Sequence, residues 1–173
     1  MGKNRDTIPY WLDTTEDTDY PKLMEDIEVD AAIVGGGLAG ITTAHLLKKE
    51  GLKVAVIEAD RIAKATTAHT TAKITSQHTL IYDKTIKTFG KELAQQYADA
   101  NQYAIRFMED VIKTNNIECD FEVQSAYVFT QDKNYVEKIE NEAKAAKSLG
   151  IPSEYVFTTP LPFPVLGAMR FDG

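Results

Sequence analysis

Two short apolar runs flank a segment in which apolar residues recur at helical spacing. The runs VDAAIV (residues 29–34) and KVAVIEA (residues 53–59) show no alternation of apolar and polar positions, which predicts strands covered on both faces. Residues 38–50 carry their apolar side chains along one side and lysines in the last turn, and Gly51 follows them, as at the end of a helix. The pattern therefore predicts a parallel βαβ unit of about thirty residues.

The second half of the chain alternates between helical and strand-like patterns. Residues 83–115 predict a long helix with a break at Gly90, and an apolar stripe predicts its buried face. The stripe comprises Leu93, Tyr97, Ala100, Ala104, Phe107 and Val111. Residues 118–130 predict two short strands, and residues 133–150 predict an amphipathic helix. The tail, residues 158–173, is broken by prolines and then predicts a last strand.

Composition excludes several classes of partner. The chain has 26 acidic and 19 basic residues and a net charge of -7, which argues against a nucleic acid or an anionic membrane as partner. The acidic N-terminus does not resemble a signal peptide, and residues 29–47 are too interrupted by glycine and polar residues for a membrane span. Cys119 is the single cysteine, so no disulfide framework and no metal site is predicted, which fits a cytoplasmic location.

The candidate chemistry lies in the turn GGGLAG between the first strand and the helix. In a dinucleotide-binding fingerprint, Gly35 allows the sharp turn and Gly37 lets the backbone approach a pyrophosphate. Gly40, the third fingerprint position, lets the helix and the strand pack closely. Gly36 is an additional glycine that the fingerprint does not require.

The start of the helix and the end of the second strand complete this predicted site. The amides of Leu38 and Ala39 would offer N–H groups and a partial positive charge to the phosphates. Glu58, eighteen residues after Gly40, would accept hydrogen bonds from ribose hydroxyls and repel a 2′-phosphate, which disfavours NADP. The spacing of these residues is compatible with both NAD and FAD. The threonine-rich loop and long helices after Glu58, in place of another βα repeat, favour FAD.

Residues 30–75 resemble the N-terminal segment of the D-amino-acid oxidase/glycine oxidase (DAO) superfamily of FAD-dependent oxidoreductases. The runs YWLDTTEDTDYPKLMEDIEVDAAIVGGG and TTAHTTAKITSQHTLIYD are more similar still to bacterial members with a C-terminal Rieske iron–sulfur domain. The resemblance implies an α/β fold: a Rossmann-like FAD-binding βαβ unit plus part of an α+β substrate domain. It implies an N-terminal arm over residues 1–28, the FAD-binding segment over 29–82, and a partial substrate domain over 83–173. The chain would then be the N-terminal fragment of a longer protein.

The resemblance also implies cofactor contacts from the loop after Glu58. The loop residues concerned are Ala59, Arg61, Thr66 and Thr67. His69 lies eleven residues after Glu58, the spacing at which dimethylglycine and sarcosine dehydrogenases of this superfamily carry a histidine joined covalently to the flavin. Two interpretations of His69 stay open, a covalent link to the flavin and a position beside it.

The function that the resemblance implies is oxidation of a C–N bond of an amine or amino acid, with a hydride equivalent transferred to FAD. No catalytic residue is assigned within this chain. Two alternatives stay open: an NAD-binding dehydrogenase, and a flavin electron-transfer module that feeds a Rieske partner domain. The expected partners are a small-molecule amine or amino acid and a second copy of the chain, because exposed apolar stripes favour self-association.

Overall fold

The computed structural model describes residues 8–172, and the chain divides into two compact units after Lys73. The first unit consists of α1 (Tyr10–Thr14), β1 (Ala31–Val34), α2 (Leu38–Lys49), β2 (Val54–Ile57) and a 3₁₀ helix (Thr66–His69). The second unit consists of α3 (Tyr82–Thr114), β3 (Ala126–Thr130), α4 (Lys133–Ser148), β4 (Ser153–Val156) and β5 (Gly167–Phe171). Helices and strands are interspersed along the chain, so the predicted α/β class is confirmed.

The first unit is built on a parallel pair of strands joined by a helix. In this pair, Ala31 of β1 lies opposite Val54 of β2, and Val34 lies opposite Ile57. The helix α2 packs against both strands. The predicted βαβ unit is therefore confirmed, because apolar runs and helical spacing are local properties that the sequence displays directly.

The expectation that both strands are covered on both faces is wrong for β1. Half-buried and exposed residues alternate along this strand, and Val34 is 87% exposed. In β2, three of the four residues are half-buried. An unbroken apolar run is typical of a strand with layers on both sides. The exposed side of β1 is thus apolar surface of a kind that parallel sheets normally cover.

The second unit contains a three-stranded antiparallel sheet in the order β3-β5-β4. Phe171 of β5 lies opposite Ala126 on one side and Ser153 on the other. The predicted last strand is confirmed as β5, whereas residues 118–130 form one strand rather than the two expected. Asp120 has a φ of +50°, which a strand does not accommodate, so the first expected strand does not form. The sequence pattern did not predict β4.

The long helix α3 contains the break that the sequence predicts. Gly90 has φ 83° and ψ 167°, which are not helical values. A residue with a Cβ atom adopts this backbone conformation only at a cost, whereas glycine adopts it readily. The glycine therefore divides α3 into two helical segments, residues 82–89 and 91–114.

The predicted buried face of α3 is wrong for residues 93–104, whereas Phe107 and Val111 of the predicted stripe are half-buried. Leu93 is 51% exposed and Tyr97 is 37% exposed, whereas Ala94 and Ala98 are fully buried. α3 packs against α4, which also buries three alanines. Small side chains let two helix backbones approach closely, and this close packing selects the alanine face instead of the face with the larger apolar residues.

The core of the second unit connects the start of α3 to the sheet and to α4. Its largest fully buried side chains are Tyr82, Ile139, Glu142 and Met169. The ring of Tyr82 stacks on that of Phe171, with ring centroids 6.3 Å apart. Aromatic stacking and apolar burial therefore join the first turn of α3 to β5.

Candidate functional site

The turn between β1 and α2 is tight because two of its glycines bring backbone atoms together. Gly35 has φ +105°, and its amide donates to the carbonyl oxygen of Ile57 at 2.8 Å. A Cβ atom on Gly40 would lie 1.9 Å from the carbonyl oxygen of Gly35 and 3.4 Å from Cγ2 of Ile33. No side chain fits at Gly40. The first turn of α2 therefore lies directly on the end of β1.

Gly36 has a structural role that sequence reasoning missed. Its amide donates a hydrogen bond of 2.6 Å to Oε2 of Glu58, and the residue is buried. A Cβ atom on Gly36 would lie 3.2 Å from Cβ of Glu58 and 3.1 Å from Cγ1 of Ile62, both closer than ordinary contact. The glycine that the fingerprint does not require is thus the one that lets Glu58 approach the turn. The run of three glycines was the feature of the sequence that could have indicated this role of Gly36.

Glu58 follows β2 directly and is held by backbone amides. Its Oε2 accepts from Gly36, and its Oε1 accepts from the amide of Asp60 at 3.1 Å. The hydrogen bond from the Gly36 amide, followed by that from Asp60, lowers the pKa of the Glu58 carboxyl below its usual value. The carboxylate is ionised at neutral pH, and each oxygen retains a lone pair for a further donor.

The N-terminus of α2 is capped from a distance. The N-cap residue, Gly37, has no side chain to cap the helix, and the hydroxyl oxygen of Thr67 accepts from the amide of Leu38 at 3.1 Å instead. The amides of Ala39 and Gly40 also lie in the first turn, where a helix offers no internal acceptor. Three predicted elements therefore lie together: the glycine turn, the start of α2 and Thr67.

The other predicted residues lie in the loop after β2, and two of them have partners outside the glycine turn. Nη1 of Arg61 donates to the carbonyl oxygen of Thr18 at 2.9 Å. Nδ1 of His69 donates to the carbonyl oxygen of Ala65 at 2.8 Å. Two further members of the predicted set are exposed: Ala59 and Thr66. Their contact with a cofactor stays a prediction.

A glycine turn, a helix N-terminus and a strand-end carboxylate on a parallel βαβ unit form the arrangement of dinucleotide-binding proteins. The DAO family, described as FAD dependent oxidoreductase, matches residues 30–171. The chain belongs to this family of FAD-dependent oxidoreductases. The resemblance inferred from the sequence is thereby confirmed, and the match favours FAD over the NAD alternative.

Individual relatives extend the comparison. The chain is 43% identical over 153 residues to YhfW of Bacillus subtilis (strain 168), which is named as a Rieske 2Fe-2S iron–sulfur protein; the match covers 88% of this chain and 30% of YhfW. It is 26% identical over 114 residues to gamma-glutamylputrescine oxidoreductase of Escherichia coli (strain K12), covering 66% of this chain and 27% of that protein. The fold resembles glycine oxidase from Bacillus cereus ATCC 14579, with a TM-score of 0.59 at 19% identity. That likeness covers 84% of this chain and 39% of the oxidase. The chain thus spans about a third of the length of these proteins.

Two negative observations apply to residues 8–172. No helix within this range is both long enough and apolar enough to cross a membrane. The same range contains no group of three or more histidine, cysteine, aspartate or glutamate residues that could hold a metal ion.

Proposed function

We propose that this chain is the N-terminal part of an oxidoreductase that binds FAD and oxidises a C–N bond of an amine or amino acid. The observation that carries the proposal is the hydrogen bond from Gly36 to Glu58. It holds an ionised carboxylate beside the glycine turn. An acceptor fixed in this way matches ribose hydroxyls, which are hydrogen-bond donors.

The residues of the turn fit a pyrophosphate. A Cβ atom on Gly37 would meet only the hydroxyl oxygen of Thr67 at 3.4 Å, so the backbone at Gly37 is open to close approach. The first-turn amides of α2 supply N–H groups, and the partial positive charge of the helix N-terminus favours an anion there. The hydroxyl of Thr67, already at this helix end, would donate its hydrogen to a phosphate oxygen.

Bound FAD would supply hydride-acceptor chemistry for the substrate carbon, and this chain's own groups would serve to bind and orient the cofactor. The amine or amino-acid substrate class is supported by the names of the relatives, a gamma-glutamylputrescine oxidoreductase and a glycine oxidase. We assign no catalytic acid or base to this chain. His69, whose Nδ1 is bonded to Ala65, is the candidate for a position beside the flavin or for a bond to it.

A second function is favoured by one observation. The relative YhfW, which shares 43% identity across 88% of this chain, carries the Rieske iron–sulfur name. The longer protein would then pass electrons from flavin to an iron–sulfur partner domain. The single cysteine, Cys119, is exposed and leaves no basis for a cluster in this chain, so the cluster would be bound elsewhere.

The test is to purify the longer protein and record its absorption spectrum before and after acid precipitation. Flavin absorption that stays with the precipitate would establish a covalent bond, and His69→Ala should then release the flavin, whereas His78→Ala in the second unit should not. Anaerobic addition of amines and amino acids should bleach the flavin bands for the true substrate class. A protein without flavin, or flavin that no amine or amino acid reduces, would contradict the enzyme proposal.

A further inference from the structure

The N-terminal segment of the first unit lies against the loop that follows β2. Nε1 of Trp11 donates to the carbonyl oxygen of Thr70 at 2.9 Å. Asp17 forms an ion pair with Lys64. Nη1 of Arg61 donates to the carbonyl oxygen of Thr18, as described above. These three contacts reach both ends and the middle of the loop over residues 61–70.

The same loop is bonded to the glycine turn on its other side. The amide of Ala63 donates to the carbonyl oxygen of Gly36 at 2.9 Å, and Thr67 caps α2 through Leu38. Ala63 has φ +60°, a left-handed conformation that an alanine adopts only when its surroundings hold it there. Arg61 lies two residues before Ala63 and Lys64 one residue after it, so contacts to the N-terminal segment are made on either side of the strained residue.

A cavity of about 310 Å³ lies between the N-terminal segment and the loop. Its lining includes Trp11 and Leu12 from the segment, and Ile62, Thr67 and Ala68 from the loop. The segment therefore rests on the loop through a few directional contacts and leaves space beside Thr67. Packing of this kind restricts where the loop lies without filling a core.

We propose that residues 9–18 form a strap that positions the loop over residues 61–70, and with it Thr67 and His69, for cofactor binding. The effect on FAD rests on the function proposed above, whereas the effect on the loop does not. Arg61, expected from the resemblance to contact the cofactor, acts in this proposal through Thr18 as a positioning residue. The strap contacts are half-exposed or exposed and polar, so they contribute little to global stability and act on local order.

The strap is tested in the longer protein with two substitutions, each of which removes one contact between the strap and the loop. Asp17→Asn removes the ion pair with Lys64. Trp11→Phe keeps an aromatic ring and removes the N–H donor. In that variant the amides of residues 61–70 should exchange with solvent about tenfold faster. The FAD dissociation constant should rise about tenfold in both variants.

The matched control is Glu109→Gln, which removes an exposed ion pair with Lys113 in the second unit and should change none of these signals. The thermal midpoint should stay within about 2 °C of wild type in all three variants. The strap proposal would be overturned if the amides of residues 61–70 exchanged as slowly in Trp11→Phe as in the control. It would also be overturned if a lower thermal midpoint accounted for the faster exchange. Hydrogen exchange of the loop is measured without flavin, so it tests the strap proposal even if the protein binds no FAD. Failure to bind FAD would refute only the proposed function.

Discussion

The carboxylate of Glu142, in α4, accepts a hydrogen bond of 2.7 Å from the backbone amide of Tyr82, the first residue of α3. The same oxygen accepts from Ile81 at 2.7 Å, and the other carboxylate oxygen accepts from Asp83 at 2.8 Å. Glu142 is fully buried, and α3 has no side-chain cap of its own. A residue about sixty positions later in the chain thus satisfies the free amides at the start of α3.

Replacement of Glu142 should destabilise the second unit strongly. Glu142→Ala leaves three amides without their acceptor and opens a cavity, and we expect a loss of about 3 kcal/mol or more in the free energy of unfolding. Glu142→Gln keeps the shape of the side chain, but its NH₂ group would face a backbone N–H group that needs an acceptor. This variant should therefore also destabilise the second unit. Urea unfolding measures both. The control is Glu140→Gln on the same helix, which removes only an exposed pair with Lys144 and should cost less than about 1 kcal/mol.

Stability should fall in alkali because of Tyr82. Burial raises the pKa of the Tyr82 hydroxyl to about 12 from an ordinary value of 10, and the hydroxyl donates to the carbonyl oxygen of Ser76 at 2.5 Å. The unfolded chain ionises first, so the stabilisation is complete below pH 10 and is lost as the pH rises toward 12. We expect a loss of about 2 kcal/mol over this range.

The check is urea unfolding at a series of pH values from 8 to 12. Tyr82→Phe should be less stable at pH 8, because the bond to Ser76 is lost, and should show a shallower decline above pH 10. Tyr103→Phe is the matched control, since Tyr103 is 61% exposed. Parallel curves for wild type and Tyr82→Phe above pH 10 would show that another group causes the decline.

Gly37 and Gly40 should respond differently to alanine. At Gly40 the added Cβ would meet the carbonyl oxygen of Gly35, so Gly40→Ala should destabilise the fold by about 3 kcal/mol. At Gly37 the only neighbour is Thr67 at 3.4 Å, so Gly37→Ala should cost about 1 kcal/mol or less. It should nevertheless weaken FAD binding more than tenfold, because the methyl group occupies the space that the pyrophosphate needs. Unfolding curves and FAD titrations separate the two effects. Normal FAD affinity in Gly37→Ala would place the pyrophosphate elsewhere.

Glu58→Gln should weaken FAD binding about tenfold, because a neutral amide replaces a charged acceptor for the ribose hydroxyls. The lowered pKa of Glu58 makes a pH dependence part of this prediction. The carboxylate's contribution to FAD binding should persist at the ordinary pKa of 4.5 and should be lost only as the pH falls through the lower pKa of the folded protein. Fluorescence titration at neutral and acidic pH measures both effects, with the exposed Glu25→Gln as control. Equal FAD affinities for wild type and Glu58→Gln at pH 7 would remove Glu58 from the site.

The chain by itself should associate and bind FAD weakly. Val34 on β1 and Leu93 on α3 are apolar and largely exposed, and Phe157 is 72% exposed. Exposed apolar side chains of this kind favour contact with a second copy. Light scattering over a range of concentrations should show a rising mean mass, and Val34→Thr should reduce it. A concentration-independent monomer with tight FAD binding would refute this prediction.

Local patterns predicted the elements that depend on local chemistry. The βαβ unit and the break at Gly90 follow from apolar spacing and from a glycine within a helical pattern, both visible along the chain. The buried face of α3 could not be predicted in this way. Ala94 and Ala98 are buried because α4 approaches them closely, and that approach depends on residues distant in the sequence.

The same division applies to the candidate site. Gly35, Gly40 and Glu58 were identified from spacing, and the structure gathers them at one end of the βαβ unit. The role of Gly36 depends on the hydrogen bond between its amide and the side chain of Glu58. Arg61 has its partner, Thr18, in the segment that precedes β1. Neither pairing produces a periodic pattern in the sequence, so neither could be predicted from residue spacing.

Because Thr67 caps α2, the order of synthesis affects how the unit forms. The capping hydroxyl lies 29 residues beyond Leu38, which corresponds to roughly 2–6 s of translation. Once Ile57 has been added, with about ten residues still to be made before Thr67, the nascent chain contains both strands and the whole helix, while the helix start still lacks its acceptor. A ribosome-bound chain that stops before Thr67 should therefore have a frayed first turn of α2, which is the end of the helix that we propose binds the pyrophosphate.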